Sequence, residues 1–132
     1  MFQTFNDFRQ HGISYAEEFQ KVGKIIYEYN KNEYEKACKN NAYVRNIWGA
    51  RVLCINTSEK GSLVFEIPEC FNSEEHDMMC SYSYNGDKWC YGFYAPNGQT
   101  KVDCSKIAMQ YGGGGHVCAA GCTTNELLKE LL

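Results

Sequence analysis

The sequence predicts an α/β domain of the α+β kind: a mixed β-sheet flanked by helices and preceded by a long N-terminal helix. Three features carry that expectation. Asn85-Gly86 sits between two runs that alternate aromatic and small residues, the strongest short-range signal for a β-hairpin. Arg51-Val52-Leu53-Cys54-Ile55-Asn56 is a continuous apolar run of the kind buried on both faces of a sheet. Tyr15, Phe19, Val22, Ile26 and Tyr29 recur at alternating steps of four and three, which is helical spacing.

The elements follow in chain order. Met1 to Phe5 reads as a short amphipathic segment. Ser14 and Glu17 make a capping-box pattern at the start of the first helix, which runs to about Cys38 before Asn40-Asn41 stops it. Gly23 lowers propensity inside that helix and marks a place for close packing, and Asn30 and Asn32 mark a place for a break. Ala42 to Trp48 is a short aromatic strand, and Arg51 to Asn56 the buried one. Ser58 to Gly61 is a loop, and Ser62 to Phe71 stays open because Pro68 interrupts any pattern.

Met78–Tyr84 and Lys88–Tyr94 form the hairpin. A two-residue turn would pair Tyr84 with Asp87 and Cys80 with Tyr91. One hairpin face then carries Met78, Cys80, Tyr82, Tyr84, Trp89, Tyr91 and Phe93, read either as core under a helix or as a base-stacking platform. Pro96-Asn97-Gly98 is a turn, and Asp103 caps a helix containing Ile107, Ala108 and Tyr111. A second short helix is expected from His116 to its C-terminal glycine, Gly121. Thr123 and Glu126 then cap a last amphipathic helix with Leu127, Leu128 and Leu131.

Composition narrows the function classes. A chain of 132 residues with 44% apolar residues and ten tyrosines suits one folded domain rather than disorder. A net charge of −3 argues against binding long nucleic acid mainly by charge, while leaving room for a short anionic ligand in a local pocket. No apolar run approaches the roughly 20 residues of a membrane span, and no signal-peptide pattern is present, so a cytoplasmic protein without membrane contact is expected. The eight cysteines contain no CxxC pair, so neither a zinc site nor a disulfide framework follows, and buried free thiols are expected.

The most informative segment is Tyr111-Gly112-Gly113-Gly114-Gly115-His116-Val117-Cys118-Ala119-Ala120-Gly121. Ordering four glycines is entropically costly. They either form a flexible turn or bring several backbone N–H groups onto one anion, aided by a helix start near His116. His116 is either a phosphate or sugar donor or a ring packed against Tyr111.

With Asp103-Cys104-Ser105-Lys106-Ile107-Ala108 before it and Ala119-Ala120-Gly121 after it, this segment resembles the end of the DHH-associated C-terminal domain. That domain is the second half of DHH-family phosphoesterases, which include oligoribonucleases, phosphoadenosine phosphate phosphatases, cyclic-dinucleotide phosphodiesterases and exopolyphosphatase-like proteins. The order of elements from about residue 14 to 125 is also similar. The resemblance implies a linker helix over residues 1–40 and a substrate-binding domain over 41–132. It implies that Gly112, Gly113, Gly114, Gly115 and His116 hold a phosphorylated small molecule or a short single-stranded nucleic acid.

Two departures qualify it. Where the family carries an arginine on the strand before the motif, this chain has Tyr94, which can donate one hydrogen bond but no charged fork. Lys88 and Lys101 are the other sources of positive charge. The chain also lacks the Asp-His-His triplet, having only His11, His76 and His116. Glu74-Glu75-His76-Asp77 reads as a solvated turn or, alternatively, a metal site.

No catalytic residue is therefore assigned, nor any metal ligand or cofactor in this chain. By resemblance, Mn or Mg belongs to a catalytic DHH half acting in cis or in trans. Cys118 and His116 would face apart on a helix, and there is no GxSxG elbow, Walker lysine or GxGxxG register. The expected function is the substrate-binding half of a DHH-type phosphoesterase. A stand-alone nucleotide- or RNA-binding module, or a degenerate domain kept for homodimerisation, are the alternatives.

Overall fold

The computed structural model describes residues 5–58 and 60–132, with side chains described from residue 16 onward. It falls into two units, the first ending at Glu33 and the second spanning Tyr34–Leu132. The first unit is helical and belongs to α1 (Phe5–Asn41), which runs without a break through Asn30 and Asn32. Ser14 therefore lies inside α1 rather than at its N-cap. A Cβ added at Gly23 meets nothing within 4 Å, so that glycine marks no close approach. Val22, Ile26 and Tyr29 of the apolar stripe are exposed. The Tyr15 side chain and the segment Met1 to Thr4 lie outside what is described.

The second unit is built on a six-stranded sheet. Its strands are β1 (Ala42–Ile47), β2 (Ala50–Asn56), β3 (Met78–Tyr84), β4 (Trp89–Tyr94), β5 (Gly114–Gly115) and β6 (Ala119–Thr124). Their spatial order is β1-β2-β3-β4-β6-β5. Only β2 and β3 are parallel, and the chain between them forms α2 (Gly61–Phe65), which resolves the segment around Pro68 as a short helix followed by turns. The turn joining β1 to β2 is Trp48-Gly49, with φ of 54° and 71°, the left-handed pair that matches strand twist. Tryptophan rarely adopts that conformation. It is held there by an Nε1–H bond to the Tyr111 hydroxyl (2.9 Å) and by its edge contact with Phe93 (centroids 5.4 Å apart).

The β3–β4 hairpin forms where expected but two residues out of the expected register. Tyr84 faces Trp89, and Cys80 faces Phe93. The connection is a four-residue loop because the Asn85 side chain accepts from the amides of both Asp87 and Lys88, closing an Asx turn before the second strand starts. A shift of two preserves the faces. Cys80 and Cys90 thus still point to opposite sides, and all eight cysteines are free thiols.

The face bearing Met78, Cys80, Tyr82, Tyr91 and Phe93 is core, so the base-stacking reading of it is overturned. It packs beneath α3 (Cys104–Gln110) and the C-terminal tail, through Ile107, Ala108, Leu128 and Leu131. Phe93 is wholly buried, a contribution of about 2–3 kcal/mol. On the opposite face Leu53, Ile55 and Met79 pack against Val64 of α2, Ile67, Phe71 and Cys38 at the end of α1.

The tail departs from the expected amphipathic helix. Thr123 and Thr124 are taken into β6, where they pair with Cys90 and Trp89, and only a 3-10 turn at Lys129–Leu131 follows. Tyrosine hydroxyls pin this tail. Tyr43 donates to the Leu131 carbonyl (2.7 Å) and also bonds the Tyr82 hydroxyl, while Leu128 N–H donates to the Tyr91 hydroxyl (3.1 Å).

Candidate functional site

The glycine motif begins at the end of α3. As expected, the Asp103 carboxylate caps that helix by accepting from the amides of Ser105 (3.0 Å) and Lys106 (3.3 Å), and it also bonds the Ser105 hydroxyl. These bonds hold the Asp103 carboxyl below the usual carboxylate range, the Ser105 hydroxyl contributing most. At the other end Gly112 takes φ of 81° and reverses the chain, so that its amide and that of Gly113 donate to Met109 (3.2 Å) and Ala108 (2.9 Å). Tyr111, tied to Trp48, fixes where this reversal starts.

From there the chain forms a β-hairpin, not a second helix. Gly114 and Gly115 pair with Gly121 and Ala120, and His116 and Ala119 exchange backbone hydrogen bonds across the tip (2.8 and 3.3 Å). Gly121 is consequently a strand residue and not a helix cap. The convergent nest of five amides is not what this loop builds, because Gly112, Gly113 and His116 donate within the protein. The motif instead presents a narrow, exposed strand at the edge of the sheet, without side chains until His116.

Most of these glycines answer to the fold. A Cβ at Gly113 would lie 2.1 Å from the Gly121 carbonyl oxygen, and one at Gly115 would lie 2.6 Å from the Ala120 Cα. A Cβ at Gly121 would meet the Tyr91 carbonyl oxygen at 2.8 Å. Gly114 is different. It has no left-handed φ, and a Cβ there meets nothing within 4 Å. The fold makes no demand for glycine at this position.

Strand register gathers the sequence-predicted site onto one face. Tyr94 pairs with Ala119, which pairs in turn with His116; Gly92 pairs with Gly121, which pairs with Gly114. Paired residues share a face, so Tyr94, Gly92, Gly121, Ala119 and Gly114 lie on the same side of the sheet as α2. The Tyr94 ring stacks on Phe65 (centroids 5.9 Å apart) and lies over Gly92, whose absent Cβ would meet the Tyr94 hydroxyl at 2.6 Å. The Tyr94 hydroxyl and the His116 ring have no hydrogen-bond partner among the described residues. His116 is exposed, and Tyr111 packs on Trp48, so the reading of His116 as a ring held by Tyr111 is overturned. Sequence reasoning missed the contribution of Gly92, Ala119 and Gly121; small residues at matching two-residue steps were the available signal.

The other charge and metal candidates are occupied elsewhere. Lys101 pairs with Asp77 at 3.0 Å, and Arg51 grips the same carboxylate through Nε (3.2 Å), a terminal nitrogen (3.0 Å) and its backbone amide (2.7 Å). Those bonds, the Arg51 guanidinium first, hold the Asp77 carboxyl well below its usual range. His76 is buried, accepts at Nδ1 from Asn72 N–H (3.1 Å), and burial lowers its pKa. Glu74–Asp77 is therefore a turn, as expected, with Glu74 and Glu75 exposed and with His76 and Asp77 anchored. Lys88 closes the β3–β4 loop through its backbone amide, which donates to the Asn85 side chain. Among the described residues no group of three or more His, Cys, Asp or Glu side chains is placed to hold a metal ion.

No protein-family model and no curated protein sequence matches the chain. Solved structures do. A pGpG-specific phosphodiesterase from Vibrio cholerae superposes with a TM-score of 0.54 at 13% identity, over 75% of this chain and 34% of that one. An exopolyphosphatase-related protein from Bacteroides fragilis gives 0.50 at 16% identity, over 76% of this chain and 31% of that one. A DHH domain described as belonging to a family of ribosomal proteins gives 0.50 at 16% identity, over 87% and 30%. The fold is thus one shared with these proteins, among them a phosphodiesterase, an exopolyphosphatase-related protein and a DHH domain. The chain spans about a third of the length of each of these three neighbours.

Proposed function

We propose that residues 41–132 form the substrate-binding domain of a DHH-type phosphoesterase and that residues 1–40 are its linker. The domain holds a short oligonucleotide or nucleotide phosphate against the face made by Gly114, Ala119 and Gly121, between Tyr94 and His116. The observation that carries this reading is Gly114: a residue kept bare with no steric or torsional reason in the fold is accounted for by a ligand lying directly against the backbone.

The chemistry available here is positioning. A ligand phosphate or sugar hydroxyl resting on the edge strand meets the His116 ring N–H and, across the small residues, the Tyr94 O–H, two donors with no partner among the described residues. Tyr94 is held rigid by Phe65, so its single hydrogen bond comes at small entropic cost. Holding the far end of a substrate orients its scissile bond and lowers the barrier without any bond being made here. By the family resemblance, Mn or Mg ions would supply an activated water. The described residues of this chain do not form a site for them, so the catalytic half must be a partner in cis or in trans.

The test is isothermal titration calorimetry with a 5′-phosphorylated dinucleotide and its unphosphorylated counterpart. Binding that requires the phosphate and weakens at least threefold in His116→Ala supports the assignment. Equal binding of both ligands, or none at millimolar concentration, overturns it.

A further inference from the structure

A second candidate site lies beside the last turns of α1 and shares no lining residue with the proposed ligand face. A cavity of about 400 Å³ opens between the last turns of α1 and the segment after α2, and Cys38 and Cys70 line it together with Glu35, Lys39, Leu53 and Glu69. Each thiol is the strongest electrostatic influence on the other, and the Cys70 S–H donates to the Tyr34 carbonyl oxygen at 3.8 Å. Both residues are nearly buried within one apolar cluster, so the side chains that hold the sulfurs together are fixed by packing. The two more exposed thiols, Cys90 and Cys118, sit on a β3–β4 loop bond and on the Pro96 carbonyl.

We infer that Cys38 and Cys70 form a peroxide-responsive dithiol that closes to an intramolecular disulfide across this cavity. The unequal surroundings of the two thiols set the order of events. Hydrogen bonding from Cys70 lowers the Cys38 pKa, whereas Cys70 is raised by the same bond, by burial and by the charges of Glu35 and Glu69. Cys38 is accordingly the nucleophile and Cys70 the resolving thiol.

The Cys38 thiolate attacks one oxygen of hydrogen peroxide, breaking the O–O bond and giving a sulfenic acid and hydroxide, which takes up the proton the thiol released. The Cys70 sulfur then displaces the sulfenic oxygen, which leaves as water with the Cys70 proton. Both sulfurs are oxidised by one electron each, and peroxide is reduced to two waters. The product ties the last turn of α1 covalently to the chain after α2. The cavity gives peroxide its access, and its size leaves room for the sulfenic oxygen.

The experiment exposes the reduced full-length chain to one molar equivalent of hydrogen peroxide. The protein is then unfolded in N-ethylmaleimide and digested without reductant for mass spectrometry. The expected result is a Cys38–Cys70 linked peptide pair, about 2 Da lighter than the separate peptides, forming before any other cysteine reacts. Cys70→Ser should instead leave a sulfenic acid at Cys38 that dimedone traps. Oxidation of Cys90 or Cys118 first, with Cys38 and Cys70 both recovered as maleimide adducts, overturns the inference. If Cys70→Ser does not fold, the wild-type peptide map alone decides.

Discussion

Adding one methyl group at Gly113 and, separately, at Gly114 tests the account of the glycine hairpin. At Gly113 the new Cβ would stand 2.1 Å from the Gly121 carbonyl oxygen and 2.6 Å from the Cys122 Cβ, with rigid strand on both sides. Relief requires β5 to move from β6 by more than about 1 Å, since contacts that short are strongly repulsive. That movement sacrifices the 2.9 Å bond from Gly113 N–H to Ala108 or the pairing of Gly114 with Gly121. Overpacking costs about 1–3 kcal/mol and a lost hydrogen bond about 1 kcal/mol, so Gly113→Ala should lose about 2–4 kcal/mol. At about 3–5 °C per kcal/mol for a domain of this size, its midpoint should fall by about 10 °C. Gly114→Ala has open space and an allowed backbone, and by restricting the unfolded chain it should gain about 0.5 kcal/mol, a rise of about 2 °C. Thermal melts followed by circular dichroism read both. If Gly113→Ala melts with the wild type, or Gly114→Ala falls as far as Gly113→Ala, the geometry argued for this hairpin is wrong.

Further outcomes follow from other contacts. His116→Ala should leave the melting midpoint within about 2 °C, because an exposed ring without partners contributes little to stability. Its effect should appear only in ligand titrations. Asp77→Asn should melt lower at neutral pH and lose less on acidification. The folded Asp77 pKa lies below its ordinary 3.8, so its contribution is whole above that pH and fades as pH falls through it. The difference between wild-type and variant melts from pH 6 to pH 2 isolates that carboxylate, and parallel curves would contradict the clamp. Tyr43→Phe removes the hydroxyl that bonds both Tyr82 and the Leu131 carbonyl. It should cost about 1–2 kcal/mol and speed hydrogen exchange at residues 128–132.

Much of the fold was legible because its signals are local. Arg51–Asn56, the hairpin strands and the Asp103 cap each announce themselves by residue type and spacing. The misreadings have a common cause in pairing over distance. Val117-Cys118-Ala119-Ala120 is composed like a helix, yet Gly112 turns the chain back on α3 and β6 pairs along β4. Thr123 and Glu126 follow a helix-capping pattern, but sheet pairing takes Thr123 and Thr124 into β6. The hairpin register slipped by two because Asn85 closes an Asx turn, a side-chain bond that Asn-Gly spacing alone does not disclose. For the same reason the glycines stand out in the sequence but suggest the wrong job. Their amides serve α3 and the hairpin, and what they offer a ligand is a bare strand edge beside Tyr94 and His116.

The central claim is that this edge is where a phosphorylated ligand rests. Amide chemical shifts of the ¹⁵N-labelled chain, titrated with a 5′-phosphorylated dinucleotide, test it most directly. The account predicts saturable shifts confined to Gly92, Tyr94, Gly114 to His116 and Ala119 to Gly121, weakened at least tenfold in Gly114→Ala. Shifts centred elsewhere, or a Gly114→Ala protein that binds as the wild type does, would contradict it.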